Sequence, residues 1–315
     1  MALDNDSTMS VSDARLMNQG FLAQIRSGAE GLSKMANTIN EEIILTILRE
    51  DGIARRIMPF KPISSAELST DINNPDIPVV FVPVEPQLNE YLATAVDFMQ
   101  PSKDLWFRSK VAAVYFKPIK TKTIRLHEGQ LLANNFPIRS YIESIAKNDI
   151  LAVEDIFLVN AIERCVAKFP ANALIGTKPM TKDDISDAAK QMTRNRLATT
   201  MIVINEITYW DIIKWNASEI GSLVIEDIVE HGPKGEELKY KSWLGFKWVM
   251  TNNIDVVAED VLYLLPSQRY LGVSYMLADA EQWLEFRDGI LSTNTREIIG
   301  RNLFNPRGPI KMTLV

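Results

Sequence analysis

The chain has 315 residues, 46% of them hydrophobic and 23% charged. That is apolar enough for a real core and longer than a typical single domain, so wholesale disorder is excluded and two lobes, or one lobe with large extensions, are expected. Lys and Arg number 34 against 40 Asp and Glu, a formal charge of −6, whereas a module that grips nucleic acid through its phosphates is normally basic.

The N-terminus, MALDNDSTMSVSDARL, lacks the basic start and apolar run of a signal peptide. No stretch approaches the roughly 18 consecutive apolar residues of a membrane helix. Cys165 stands alone, which leaves no internal disulfide and no cysteine metal cluster. These features predict a protein made and kept in a cytoplasm, with no membrane partner.

Residues 1–38 are polar, with sparse apolar positions at Leu16, Phe21, Ile25 and Leu32. They read as an extended arm, or weak helices that need a partner surface, dispensable for folding. From Thr38 to Glu50 the positions Ile39, Ile43, Ile44, Ile47 and Leu48 have helical spacing, with Thr38 and Glu41 placed for a capping box. Residues 57–125 turn to Pro, Val and Phe. FVPVEP and KDLWFRSKVAAVYFKPIKTKTIRL predict two long strands of a hairpin whose outer end carries Pro83, Pro86 and Pro101. Isolated hairpins are marginal in water, so this one needs a neighbouring subunit.

From Ile138 to Lys168 helical spacing runs unbroken by proline, with Asn148-Asp149 the one place for a kink. At 1.5 Å per residue such a helix spans about 45 Å. Thr181 with Asp184 predicts a capped helix to about Asn195, TTMIVI a buried strand, and Asn205 the cap of a helix through Tyr209, Ile212 and Ile213. Beyond the polar loop EHGPKGEELKYK come strands at FKWVM, VLYLLP, YLGVSYM, QWLEF and PIKMTLV.

Catalytic signatures are missing. The two histidines, His127 and His231, lie in different segments without metal-ligand spacing, and there is no nucleophile elbow, phosphate loop or dinucleotide fingerprint. Cys165 sits between Ile162 and Val166 as a small buried hydrophobe. Carboxylate pairs such as Asp183-Asp184 fall in first turns of helices, where they suit the dipole. No catalytic, cofactor or metal residues are assigned.

The order of segments resembles the capsid subunits of tailed bacteriophages, the Hong Kong 97 fold. YIESIAKNDILAVEDIFLVN is similar to the family's spine helix, with Tyr141, Ile142, the acidic pair Glu154-Asp155, then Leu158 and Asn160. DISDAAKQMTRNRLATTMIVINEITYWDIIKW resembles the opening of its axial domain. KPIKTKTIRLHEGQLLANNFP resembles the strand and link into the spine, and REIIGRNLFNPRGPIKMTL its C-terminal strands. The likeness covers roughly residues 40–315. Ala161 departs from it, because many relatives carry Gly there. The positions of the Lys–Asn cross-link that some members form fall at Asp97 and near Gly289, so no cross-linking is implied.

The resemblance implies an α+β fold in five parts. These are an N-terminal arm (1–38), a helix of the peripheral region (39–56), an extended loop formed by the hairpin (57–125), a peripheral domain with the spine helix (126–171 and 258–315), and an axial domain (172–257). It implies a virion shell protein assembled in a host bacterial cytoplasm as hexamers and pentamers. A separate scaffold protein, portal and decoration proteins would be its partners, with packaged DNA on the inner face and no sequence-specific binding. Leu105, Trp106, Phe107, Arg108 and Val111 on the hairpin, and Phe21 and Ile25 on the arm, are the expected assembly contacts, the arm by adding to a neighbour's sheet. An encapsulin-like compartment shares the fold and is the alternative. A cytoplasmic enzyme with an unfamiliar site, its loop 228–240 acting as a lid, is the rival from another class.

Overall fold

A single helix of 31 residues, α5 (Ile138–Lys168), runs through the computed structural model. It has the bounds its apolar spacing predicts, and it passes Asn148-Asp149 without interruption. The residues described are 11–49, 52–70, 77–84, 110–134, 137–213, 242–243 and 246–315. Before α5 come α1 (Val11–Arg26), α2 (Ala29–Arg49), α3 (Ile53–Ile57), β1 (Lys61–Pro62), β2 (Ser69–Thr70), β3 (Pro78–Val84), β4 (Lys110–Lys120), β5 (Ile124–His127) and α4 (Glu128–Ala133). After it follow β6 (Ala173–Gly176), α6 (Lys182–Arg194), β7 (Thr199–Asn205), α7 (Glu206–Ile213), β8 (Ser242–Trp243), β9 (Phe246–Thr251) and β10 (Val261–Pro266). The chain then forms α8 (Gln268–Leu271), β11 (Gly272–Arg287), β12 (Ile290–Leu303) and β13 (Ile310–Leu314).

The strands make two sheets. One has the order β1-β11-β12-β4-β3-β2, with β5 also paired to β12, and the other the order β6-β13-β10-β7-β9-β8. In the first, β11 and β12 form a long antiparallel hairpin turned by Asp288 and Gly289, both at positive φ (51° and 75°). Such angles suit a two-residue type I′ turn, for which Asp-Gly is a preferred pair. In the second, β7 runs parallel to β9 and antiparallel to β10, and β13 lies between β10 and β6.

Strands β10 and β13, which lie within 258–315, pair with β7 and β6 in the second sheet. All six positions of β10 are buried, and only the middle of a covered sheet gives a strand two buried faces.

Three cores follow from the layering. α1, α2, α4 and the first half of α5 cover one face of the first sheet around Leu131, Ile142, Ile150 and Leu291. α6 and α7 cover the second sheet around Ile202, Trp248, Leu264 and Ile310. Between them α3 packs Ile53, Ile57 and Met58 against Leu158 and Ile162 of α5 and against Val203 and Val249 of the second sheet.

The expected N-terminal arm is, from Val11 onward, two helices folded onto their own chain. Phe21, Leu22 and Ile25 are buried in the first core, so the surface they need belongs to the same subunit. Their spacing places them on one helical face, and that narrow stripe suffices because α2, α4 and α5 supply the rest of the cover. Gly28, at φ +94°, turns the chain between the helices. Thr38, expected as an N-cap, lies inside α2, where its hydroxyl donates to the Lys34 carbonyl at 2.9 Å.

Candidate functional site

Two features stand out once the fold is in place: a buried charge cluster at α3 and an apolar stripe on the β3–β4 hairpin.

The cluster grows from the acidic pair in mid-spine. Asp155 accepts the backbone N–H of Ala54 at 2.7 Å and so caps α3, whose own N-cap, Gly52, has no side chain to do it. Glu154 faces Arg55 as a forked pair, with contacts of 2.6, 2.9 and 3.2 Å. Arg301, on β12, donates to the Ser274 hydroxyl at 2.8 Å and to the backbone carbonyl of Glu154 at 3.1 Å. Both guanidiniums lie over the ring of Phe60, at 5.4 and 5.1 Å from its centre, within cation–π range.

Glu297, four residues before Arg301 on the same strand face, completes the group. It is 0% exposed, and its nearest ionic contact is Arg55 Nη2 at 3.6 Å, too long for a hydrogen bond. Neither of its carboxyl oxygens receives a hydrogen bond, whereas the protonated acid can donate one to the Glu154 carboxylate. Burial, then the charge of Glu154, pushes the Glu297 carboxyl up to about 9, against the pull of Arg55. Burial likewise raises Asp155 to about 6, although the N–H groups of Ala54 and Ile53 work the other way. Burial lowers Arg301 to about 10. For Arg55 burial is the largest single effect and opposes the charge, but the bond to Glu154 and the charges of Glu154, Glu297 and Asp279 together outweigh it and the value is raised.

The hairpin provides a surface. Past Phe116, β4 leaves β12 and pairs with β3. One face of this ribbon is closed by Val80 and Val114, both buried. The other carries Phe81 (49% exposed), Val111 (59%) and Tyr115 (39%) on cross-strand positions. Apolar side chains gathered on an open face are the usual mark of an interaction site.

Of the expected assembly residues, Val111 is on this stripe. Leu105, Trp106, Phe107 and Arg108 lie outside the described residues, as do Asp97, His231 and the loop 228–240. Phe21 and Ile25 are core residues and not surface contacts, because their helix packs on its own chain. His127 is an N-cap, with Nδ1 accepting from the Gly129 N–H at 3.1 Å. Cys165 is buried, which raises its thiol pKa. Among the described residues no group of three or more His, Cys, Asp or Glu is placed to hold a metal, and no helix is long and apolar enough to cross a membrane.

Sequence reasoning missed Arg55, Glu297 and Arg301. The signal was present: in REIIGRNL the charges of Glu297 and Arg301 share a strand face with Ile299, which period-two alternation turns inward. It also missed Asn18, whose amide donates to the Asn134 carbonyl and whose oxygen accepts the Ile138 N–H at 3.1 Å, capping the spine helix from α1.

No family model and no curated protein sequence matches the chain. Solved structures do. A protein of Mycobacterium phage Adephagia aligns over 84% of this chain and 91% of its own at 10% identity, with a TM-score of 0.54. The capsid asymmetric unit of cyanophage Pam1 aligns over 81% and 88% at 10% identity, with a TM-score of 0.51. The virus-like particle from Pyrococcus furiosus aligns over 88% and 98% at 10% identity, with a TM-score of 0.52. The chain thus has the fold of phage capsid subunits over most of its length, the architecture its segment order resembles.

Proposed function

We propose that this protein is a shell subunit without enzymatic activity, a major capsid protein that assembles as hexamers and pentamers around double-stranded phage DNA. The observation that carries this reading is the hairpin stripe, read together with the fold. Phe81 and Val111 occupy the part of the β3–β4 ribbon where β4 no longer pairs with β12, and a neighbouring subunit would cover them there. Many such modest contacts add up in a closed shell. Trp106 and Phe107, which lie outside the described residues, are proposed to extend the contact. A separate scaffold protein, portal and decoration proteins remain the partners this reading implies, and the packaged DNA would lie against the inner face without base recognition.

The test is the double variant Phe81→Ser, Val111→Ser. Interface truncations at well-packed positions cost on the order of 2 kcal/mol each. Particle yield by sedimentation should collapse while the thermal midpoint of the unassembled subunit stays near that of the parent. Normal particle yield would refute the reading.

The likeness to the virus-like particle from Pyrococcus furiosus supports a second reading, a protein compartment of the encapsulin kind. Purified particles discriminate the two. Nuclease-protected DNA favours the capsid, and co-purifying protein cargo without DNA favours the compartment.

A further inference from the structure

The charge cluster at α3 holds more acid than its bases can balance. Arg55 is committed to Glu154, and Arg301 to Ser274 and the spine backbone. Asp155 is occupied by the first amides of α3. Arg301 Nη2 is without a hydrogen-bond partner, yet neither guanidinium bonds Glu297, a third carboxyl beside Glu154 and Asp155 whose one bond is the one it can donate to Glu154 as the neutral acid. The charged groups facing it are Arg55 from α3, Glu154 from α5, Asp279 from β11 and Arg301 from its own strand. A buried carboxylate without a partner is far costlier than a neutral acid in the same place.

We propose that Glu297 is a proton-holding latch: as a neutral acid it lets Glu154 and Arg55 clamp α3 to the spine, and on losing its proton to solvent base it releases α3. The element that yields is set by size. β12 is paired along both edges and α5 has eight turns, whereas α3 is one turn held by Asp155, Arg55 and its three buried apolar side chains. Its far end reaches the second sheet, where Lys247 Nζ donates to the Arg56 carbonyl at 3.3 Å. Freeing α3 thus loosens the joint between the two sheets. The raised value of Glu297 places that transition in the alkaline range. The proposal concerns the folded subunit and stands independently of the shell reading.

Two measurements test it on the full chain. Infrared spectra of the parent protein should show a protonated carboxyl C=O band at pH 7 that is gone by pH 10. No such band at pH 7 would overturn the proposal, and this measurement needs no variant. Amide exchange, corrected for base catalysis, should show peptides covering 53–57 losing about tenfold protection or more between those pH values while the spine keeps its own. Glu297→Gln, which cannot ionise, should hold that protection. Parallel loss in the parent and in Glu297→Gln, or simultaneous loss across the whole chain, would refute the latch.

Discussion

Asp184 and Asp155 are both carboxylates at the N-terminus of a helix, yet they titrate in opposite directions. Asp184 accepts from the backbone and hydroxyl groups of both Thr177 and Thr181, at 2.6 to 3.1 Å. Burial works against its charge, but these bonds outweigh burial and hold it below the usual carboxylate range. Its stabilisation is present above its unfolded value and is lost as pH falls through the folded one. Asp155, raised to about 6, has the reverse slope: the folded state binds the extra proton, so stability falls as pH climbs from about 4 towards 6. Urea unfolding of Asp155→Asn against pH should therefore lack that decline, and an unchanged decline would exclude Asp155 as its source. Asp184→Ala should cost about 2–3 kcal/mol in the same assay near neutral pH. The Thr181–Asp184 box was legible in the sequence because a cap is local. The Asp155 cap was not, because it serves a helix a hundred residues away.

Local signals also explain which elements could be read from the sequence. The bounds of α5 and the strand at β7 follow from periodicity in one continuous segment. The arm was misjudged because its apolar stripe is narrow and its cover comes from α2, α4 and α5. Deleting residues 2–26 removes Phe21, Leu22, Ile25 and the Asn18 cap. At about 1.5–3 kcal/mol per large buried side chain, the thermal midpoint should drop on the order of 10 °C. A midpoint within a degree or two of the parent would restore the dispensable arm. Gly272 is a second element-scale case, invisible as a requirement in YLGVSYM. A Cβ there would lie 2.2 Å from the Asn302 carbonyl oxygen, across the β11–β12 pairing. Backbone cannot step aside as a side-chain tip can, so Gly272→Ala should destabilise by about 2 kcal/mol or more in denaturant unfolding.

For the whole molecule, the order of segments carried more than any motif. The long spine helix and the strands after it were readable from their spacing, and the solved structures align over most of the chain at about 10% identity. The division between the sheets was not readable, since β13 joins strands made far earlier and nothing local marks its partner. Assembly belongs to this scale too. Light scattering of the full chain should show rings or shells at tens of micromolar, and a stable monomer in every salt condition would contradict the proposed role. Lysine is absent between Lys61 and Lys103, so boiled particles should run as one band near 35.6 kDa and not as a covalent ladder.

The place of β13 between β6 and β10 also sets a clock on biosynthesis. β6 has β13 as its pairing partner, with Ala173 opposite Lys311. A ribosome adding about 5–20 residues per second needs on the order of ten seconds to cover the roughly 140 residues between them. Throughout that interval β6 is unpaired, joined by one edge of β10 once that strand has been made, while the spine and α6 can already form. A nascent chain so delayed is open to strand exchange with its siblings on the same polysome, which makes slow translation or a bound chaperone over this stretch a determinant of yield.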